Sequence, residues 1–193
     1  MRLYLVRHGE SMTNAKKQYT GWMDVELSEN GRAQALRARE RMPAVHYDRV
    51  ISSDLIRAKQ TCDIVLPGYS YETTPLLREI NVACMAGHTA AECEAQYGEA
   101  FLACRANQDY RSFGGENRED LRRRVQGFLR QAESFPEENV AVFAHAGALR
   151  MALDLILEQT QLRKHIVCDN CAIAVFEYAD GFWRLLRWDN DLS

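Results

Sequence analysis

No stretch of this chain approaches the roughly 18 consecutive apolar residues of a membrane-crossing helix, so a membrane-spanning protein is not expected. A secretory leader is not expected either. The apolar start Leu3-Tyr4-Leu5-Val6 is broken by Arg7 and His8 after only four residues, and the expected location is cytoplasmic. Charge of one sign is also scarce: the formal net charge is −3, which gives no global attraction to nucleic acid or to an anionic membrane. Any anion must therefore be held by a local cluster of cations. Metal modules are missing as well. Cys168-Asp169-Asn170-Cys171 has the CxxC spacing without a second pair of cysteines or histidines, and Cys84, His88 and Cys93 lack a fourth partner. Without an export signal, all six cysteines (Cys62, Cys84, Cys93, Cys104, Cys168, Cys171) are expected to be reduced, buried or half-buried thiols.

There is no internal repeat, low-complexity tract or linker. The 193 residues, 47% hydrophobic and 26% charged, suit one domain with a large core, spanning 1–193. Residues 2–7 read as a strand, 8–27 as a long ordered loop, and Glu29 to Met42 as a helix capped by Ser28 and ended by Pro43. Arg49 to Ser52 reads as a short strand, with Ser52-Ser53-Asp54 capping a helix that runs to Leu66; Tyr71 to Thr74 is a further strand. The segment at about 80–115 is the least regular and reads as a cap insertion with a helix from Ala90 to Cys104. Glu116 to Glu133 is a charged amphipathic helix whose run Arg122-Arg123-Arg124, beside acidic neighbours, reads as a solvated face. Val140 to Ala144 has the continuous apolar character of a central strand. A helix follows from Gly147 to Glu158, and two strands, Ala172 to Tyr178 and Phe182 to Trp188, flank a turn at Asp180-Gly181. This alternation predicts an α/β fold: a three-layer α/β/α sandwich with a mostly parallel central sheet.

Reactive groups recur where strands end. Strand 2–7 stops at Arg7-His8-Gly9, the second strand feeds a helix start bearing Arg57, Pro75 leads into Arg78-Glu79, and strand 140–144 stops at His145-Ala146-Gly147. If these strands are parallel, two histidines, two arginines and a carboxylate converge at one sheet edge, where open α/β sheets bind ligands. Arginine offers a planar fork for phosphate oxygens, and neutral imidazole is a nucleophile.

These residues carry a resemblance. Leu5-Val6-Arg7-His8-Gly9-Glu10-Ser11, Asn14, Tyr19-Thr20-Gly21-Trp22-Met23-Asp24 and Leu27-Ser28-Glu29-Asn30-Gly31 resemble the opening motif of the histidine phosphatase superfamily, on its phosphoglycerate mutase-like branch. Ser52 to Thr61 resembles the second motif, Leu77-Arg78-Glu79-Ile80-Asn81 the acidic motif, Gly114-Gly115-Glu116-Asn117 the mid-chain turn, and Ala144-His145-Ala146-Gly147 the second histidine motif. The motifs stand in family order along nearly the whole chain and together are highly specific. The length and Tyr97-Gly98 near Gly115-Glu116 resemble its small bacterial phosphatases.

The resemblance implies His8 as the nucleophile of a phosphohistidine route, Glu79 as general acid, and Arg7, Arg57 and His145 as holders of the phosphoryl oxygens. It places Asn14, Thr20, Gly21 and Ala146 around the substrate. The helix N-terminus after His145 favours an anion. No metal or other cofactor is implied, because the cations are built in. The implied partner is a small phosphorylated metabolite, not nucleic acid or a membrane.

His46, His88 and His165 read as ordinary histidines, Arg78 as one half of a structural ion pair, and Trp22, Trp183 and Trp188 as core or rim packing. The chain departs from the family after Glu79. Val82-Ala83-Cys84-Met85-Ala86-Gly87 stands where an aromatic, a glycine and often Trp-Glu-Gly are usual, which predicts a more apolar leaving-group side. Ala146 stands for a more usual glycine. A phosphoglycerate mutase is the alternative, disfavoured by the short interval from Glu79 to His145 and by Glu92, Glu94 and Glu99 where extra cations are expected. A weakly catalytic binding module is the third reading; retention of His8, Arg57 and Glu79 speaks against it.

Overall fold

Continuous apolar character makes a strand buriable on both faces, and two strands of this chain show it: Leu3 to Val6 and Val140 to Ala144 are all buried. In a computed structural model of the chain, which describes residues 1–159, 162 and 165–190, they are β1 (Arg2–Arg7) and β4 (Asn139–Ala144), adjacent and parallel at the middle of the sheet. The other strands are β2 (Arg49–Ser53), β3 (Glu72–Thr74), β5 (Ile173–Ala179) and β6 (Phe182–Asp189). The order is β3-β2-β4-β1-β5-β6, parallel from β3 to β1, with the β5–β6 hairpin added antiparallel. The sheet is thus mixed, with its parallel part carrying the strand ends of interest.

Alternate residues of the central strands enter opposite cores, which makes the three layers. Leu3, Leu5, Val140 and Val142 pack under α5 (Arg118–Ala132) and α6 (Ala146–Ile156). Tyr4, Val6, Ala141 and Phe143 pack under α2 (Glu29–Arg41) and α3 (Ile56–Val65). A third, smaller core joins Val82, Met85, Cys93, Phe101, Cys104 and Tyr110 in the segment beside the sheet edge. That segment holds 3₁₀ turns at Ala83–Met85 and Arg111–Phe113 around α4 (Ala90–Asn107). A Thr89/Glu92 capping box starts α4, and Gly98, at φ 53° and ψ −131°, interrupts it.

Several boundaries differ from the sequence expectation. The loop 8–27 contains a one-turn helix, α1 (Met12–Ala15), closed by a capping box between Ser11 and Asn14. Ser52 and Ser53 are strand residues, so α3 begins only at Ile56, without a local side-chain cap. Helix α5 starts at Arg118, after an Asn117/Asp120 capping box, not at Glu116. Five cysteines are buried, but Cys84 is exposed. Gly31, in the first turn of α2, lets the chain after β1 lie directly on that helix: a β-carbon there would stand 2.0 Å from the Glu10 carbonyl oxygen. No helix among the described residues is long and apolar enough to cross a membrane.

Candidate active site

Because β1, β2 and β4 run parallel, the residues that follow them share one edge. A cavity of about 570 Å³ opens there. Arg7, His8, Asn14, Thr20, Gly21, Arg57, Glu79 and Ala146 all line it. His145 is fully buried beside it, with its ring 5.0 Å from that of His8. The structure therefore gathers every residue expected at the site, from five separate parts of the chain.

His8 is held so that one nitrogen is unprotonated. Its Nδ1 lies 2.6 Å from the Gly9 carbonyl oxygen, an acceptor only, so Nδ1 carries the proton. Nε2 then keeps a lone pair, which accepts from Arg57 Nε–H at 3.2 Å. Burial drives the imidazole pKa well below its ordinary value, and the Arg57 and Arg7 charges push it the same way. A neutral ring with an unprotonated Nε2 is the state a nucleophile needs.

The two arginines are anchored through backbone. Arg57 Nη1 and Nη2 each donate at 2.9 Å, to the Met23 and Gly21 carbonyls, so the long loop after β1 holds the guanidinium in place. Burial lowers its pKa to about 10, with Glu79 and Asp24 opposing; it remains a cation near neutrality. Arg7 Nη1 donates to the Cys168 carbonyl at 2.5 Å, and its Nε has no partner. The CxxC segment is a brace: Asn170 Nδ2 and the Cys171 N–H both donate to the His8 carbonyl. Both its thiols are buried, and burial raises that of Cys168 to about 11.

His145 Nε2 lies 2.8 Å from Ser53 Oγ. The Leu55 N–H donates to the same Oγ at 3.4 Å, and the hydroxyl proton is available to Nε2 in the tautomer that carries its proton on Nδ1. Nδ1 is buried with no partner. Burial, with Arg57, His8 and Arg7, holds this imidazole also well below its usual pKa. Asn14 Oδ1 accepts from the Ser11 N–H, so its amide N–H₂ is the group left for a ligand.

Glu79 spans the cavity from the other side. Its Oε1 accepts from the Ile80 N–H at 2.8 Å and its Oε2 from the Gly147 N–H at 3.1 Å, at the N-terminus of α6. Its own carbonyl accepts from Trp22 Nε1 at 2.7 Å and from Arg124 Nη2 at 3.3 Å. Arg124 is thus no part of a solvated face, and Trp22 does more than pack at the rim. Arg78 does pair with Asp54, at 2.5 Å. Tyr19, from the opening motif, also lines the cavity, whereas the chain pattern gave no signal for Gln18, Gln108, Tyr110, Arg118 and Arg150 in its walls. Among the described residues no group of three or more histidine, cysteine, aspartate or glutamate side chains stands together as metal ligands; Cys84, His88 and Cys93 do not form one.

Known proteins resemble this chain over most of its length. The family model of the histidine phosphatase superfamily (branch 1) matches residues 3–191. A broad-specificity phosphatase of Saccharomyces cerevisiae is 30% identical over 192 residues, covering 92% of this chain and 80% of that one. A probable phosphoglycerate mutase of Salmonella paratyphi A is 28% identical over 193 residues, covering 97% and 90%. Among solved structures, a mycobacterial glucosyl-3-phosphoglycerate phosphatase superposes with a TM-score of 0.84 at 28% identity, covering 98% of this chain and 99% of that one. The α-ribazole phosphatase of Shigella flexneri shares the fold, with a TM-score of 0.90 at 23% identity over 98% and 96% of the two chains.

Proposed function

The chain belongs to the histidine phosphatase superfamily (branch 1), and from that premise we propose that it hydrolyses a small phosphate monoester through a phosphohistidine on His8. The observation that carries the reading is the unprotonated Nε2 of a neutral, buried His8 facing the guanidinium of Arg57. An arriving phosphoryl group takes over the Arg57 N–H and frees the Nε2 lone pair. Nε2 attacks phosphorus while the bond to the ester oxygen breaks, and Glu79 gives its proton to the departing alkoxide. A water then attacks the phosphohistidine, Glu79 takes its proton, the N–P bond pair returns to Nε2, and inorganic phosphate leaves. Arg7, Arg57, Asn14 and the Nδ1–H of His145 hold the three spectator oxygens; positioning and charge are most of what this chemistry requires. The N-terminus of α6 at Ala146 and Gly147 adds its dipole. We read residues 80–115 as a cap that shapes the leaving-group side on a single catalytic domain, working in the cytoplasm. The phosphatase names of the yeast and mycobacterial relatives support hydrolysis over transfer.

The test is release of phosphate, with EDTA present, from p-nitrophenyl phosphate, phosphosugars, α-ribazole phosphate and 3-phosphoglycerate. Release that vanishes in His8→Ala is expected. Conversion of 3-phosphoglycerate to its 2-isomer without free phosphate would move the protein to mutase chemistry instead.

A further inference from the structure

We infer that Arg124, working through Glu116, is a positioning residue for Glu79. The inference rests on the reading of Glu79 as general acid. Arg124 stands on α5, its side chain only 16% exposed, so its donors have few waters to turn to. Its Nε and Nη2 each reach a different oxygen of the Glu116 carboxylate at 2.8 Å. The remaining donors gather backbone: Nη1 goes to the Leu76 carbonyl at 2.9 Å and the Arg78 carbonyl at 3.1 Å, Nη2 to the Glu79 carbonyl at 3.3 Å. These carbonyls belong to the end of a 3₁₀ turn and the stretch after it, where neither helix nor sheet supplies donors. One planar guanidinium therefore replaces secondary structure for the segment that carries the acid.

The residues after Glu79 are fixed by the same pair. Glu116 Oε2 accepts from the Asn81 N–H at 3.0 Å, and the Glu116 N–H donates to the Asn81 carbonyl at 2.9 Å. Backbone on both sides of Glu79 is thus tied to one ion pair. The carboxyl in turn is aimed by its bonds to the Ile80 and Gly147 N–H groups. Displacement of the 76–81 backbone would move the carboxyl away from the leaving oxygen while leaving His8, Arg7 and Arg57, which hang from other elements, in place. Lysine at 124 keeps the charge but has no planar fork with which to hold a carboxylate and three carbonyls at once.

That separation makes the inference testable by leaving group. p-Nitrophenolate departs unprotonated, whereas a benzyl alkoxide needs the proton. Values of kcat and KM for p-nitrophenyl phosphate and benzyl phosphate would be measured in wild type, Glu79→Gln, Arg124→Met and Arg124→Lys, each checked for folding by circular dichroism. Glu79→Gln is expected to slow benzyl phosphate selectively, by about 100-fold relative to the aryl ester. Arg124→Met should reproduce at least about a tenfold part of that selective loss, in kcat rather than KM, and a variant combining it with Glu79→Gln should be little slower than Glu79→Gln alone. Arg124→Lys should show the same selectivity more weakly and serves where the Met variant does not fold. Equal slowing of both esters in the Arg124 variants, beside a selective Glu79→Gln, would overturn the inference and leave the acid in place. A Glu79→Gln enzyme without leaving-group selectivity would overturn the acid assignment itself.

Discussion

Gly147 shows how a single residue separates stability from chemistry. It lies in the first turn of α6, where alanine is the better helix former by up to ~1 kcal/mol. Yet a β-carbon there would sit 2.0 Å from Glu79 Oε1, while its backbone N–H is the donor to Oε2. Because the obstructing atom is the end of a flexible side chain, the carboxyl yields and the fold does not. Gly147→Ala is expected to melt within a few degrees of wild type and to lose about tenfold or more in kcat for alkyl phosphates, against less for p-nitrophenyl phosphate. Melting curves and the two kcat values check this together. At this scale the motifs were legible: His8, Arg57, Glu79 and His145 were named by residue type and order alone. Arg124 was not, because besides Glu116 its partners are carbonyls at 76, 78 and 79, and backbone oxygens leave no mark on a sequence. An arginine between arginines and acids looks solvated until the fold shows what it touches.

Among the elements, α3 is the instructive one because its N-terminus carries Arg57. Ser52 and Ser53 look like N-caps, but the hydrogen-bond demand of β2 and of His145 claims them first. The cap comes instead from far away in sequence: Asp24 Oδ1 accepts the Ile56 N–H at 2.6 Å. A cap supplied by tertiary contact cannot be read from local spacing, which is why the predicted start of this helix was early. The long helices were readable from local composition and stop residues, and the two central strands from their unbroken apolar runs. Asp24→Ala should cost about 1 kcal/mol, the usual worth of an N-cap. Since Met23, its neighbour, supplies a carbonyl to Arg57, the variant should also raise KM severalfold with a smaller change in kcat. Urea denaturation and steady-state kinetics give the two numbers.

For the molecule as a whole, two neutral histidines in one buried site make the fold sensitive to acid. Both imidazoles have folded-state pKa values well below the unfolded value of about 6.5. As pH falls through that value, the unfolded chain takes up protons that the folded chain refuses. Stability is therefore full above about pH 6.5 and declines below it, each histidine contributing up to about 1.4 kcal/mol per pH unit until its folded pKa is reached. Melting temperatures between pH 7.5 and 5 should fall with acidification, and His8→Gln should flatten the slope. A melting temperature that holds constant over this range would contradict the burial of neutral rings.

The mutual bonds between Asn81 and Glu116 have a consequence for how the fold tolerates a change of loop length. The segment from Val82 to Gly115 leaves and returns at that pair, and backbone bonds between Tyr19 and residues 87 and 88 tie it once more to the loop after β1. Closing a longer loop is inexpensive, about 0.6 kcal/mol for each doubling of length. Changes in the length of that loop are therefore expected to cost the fold little, and a variant with a few residues inserted at an exposed position within it should melt close to the parent chain.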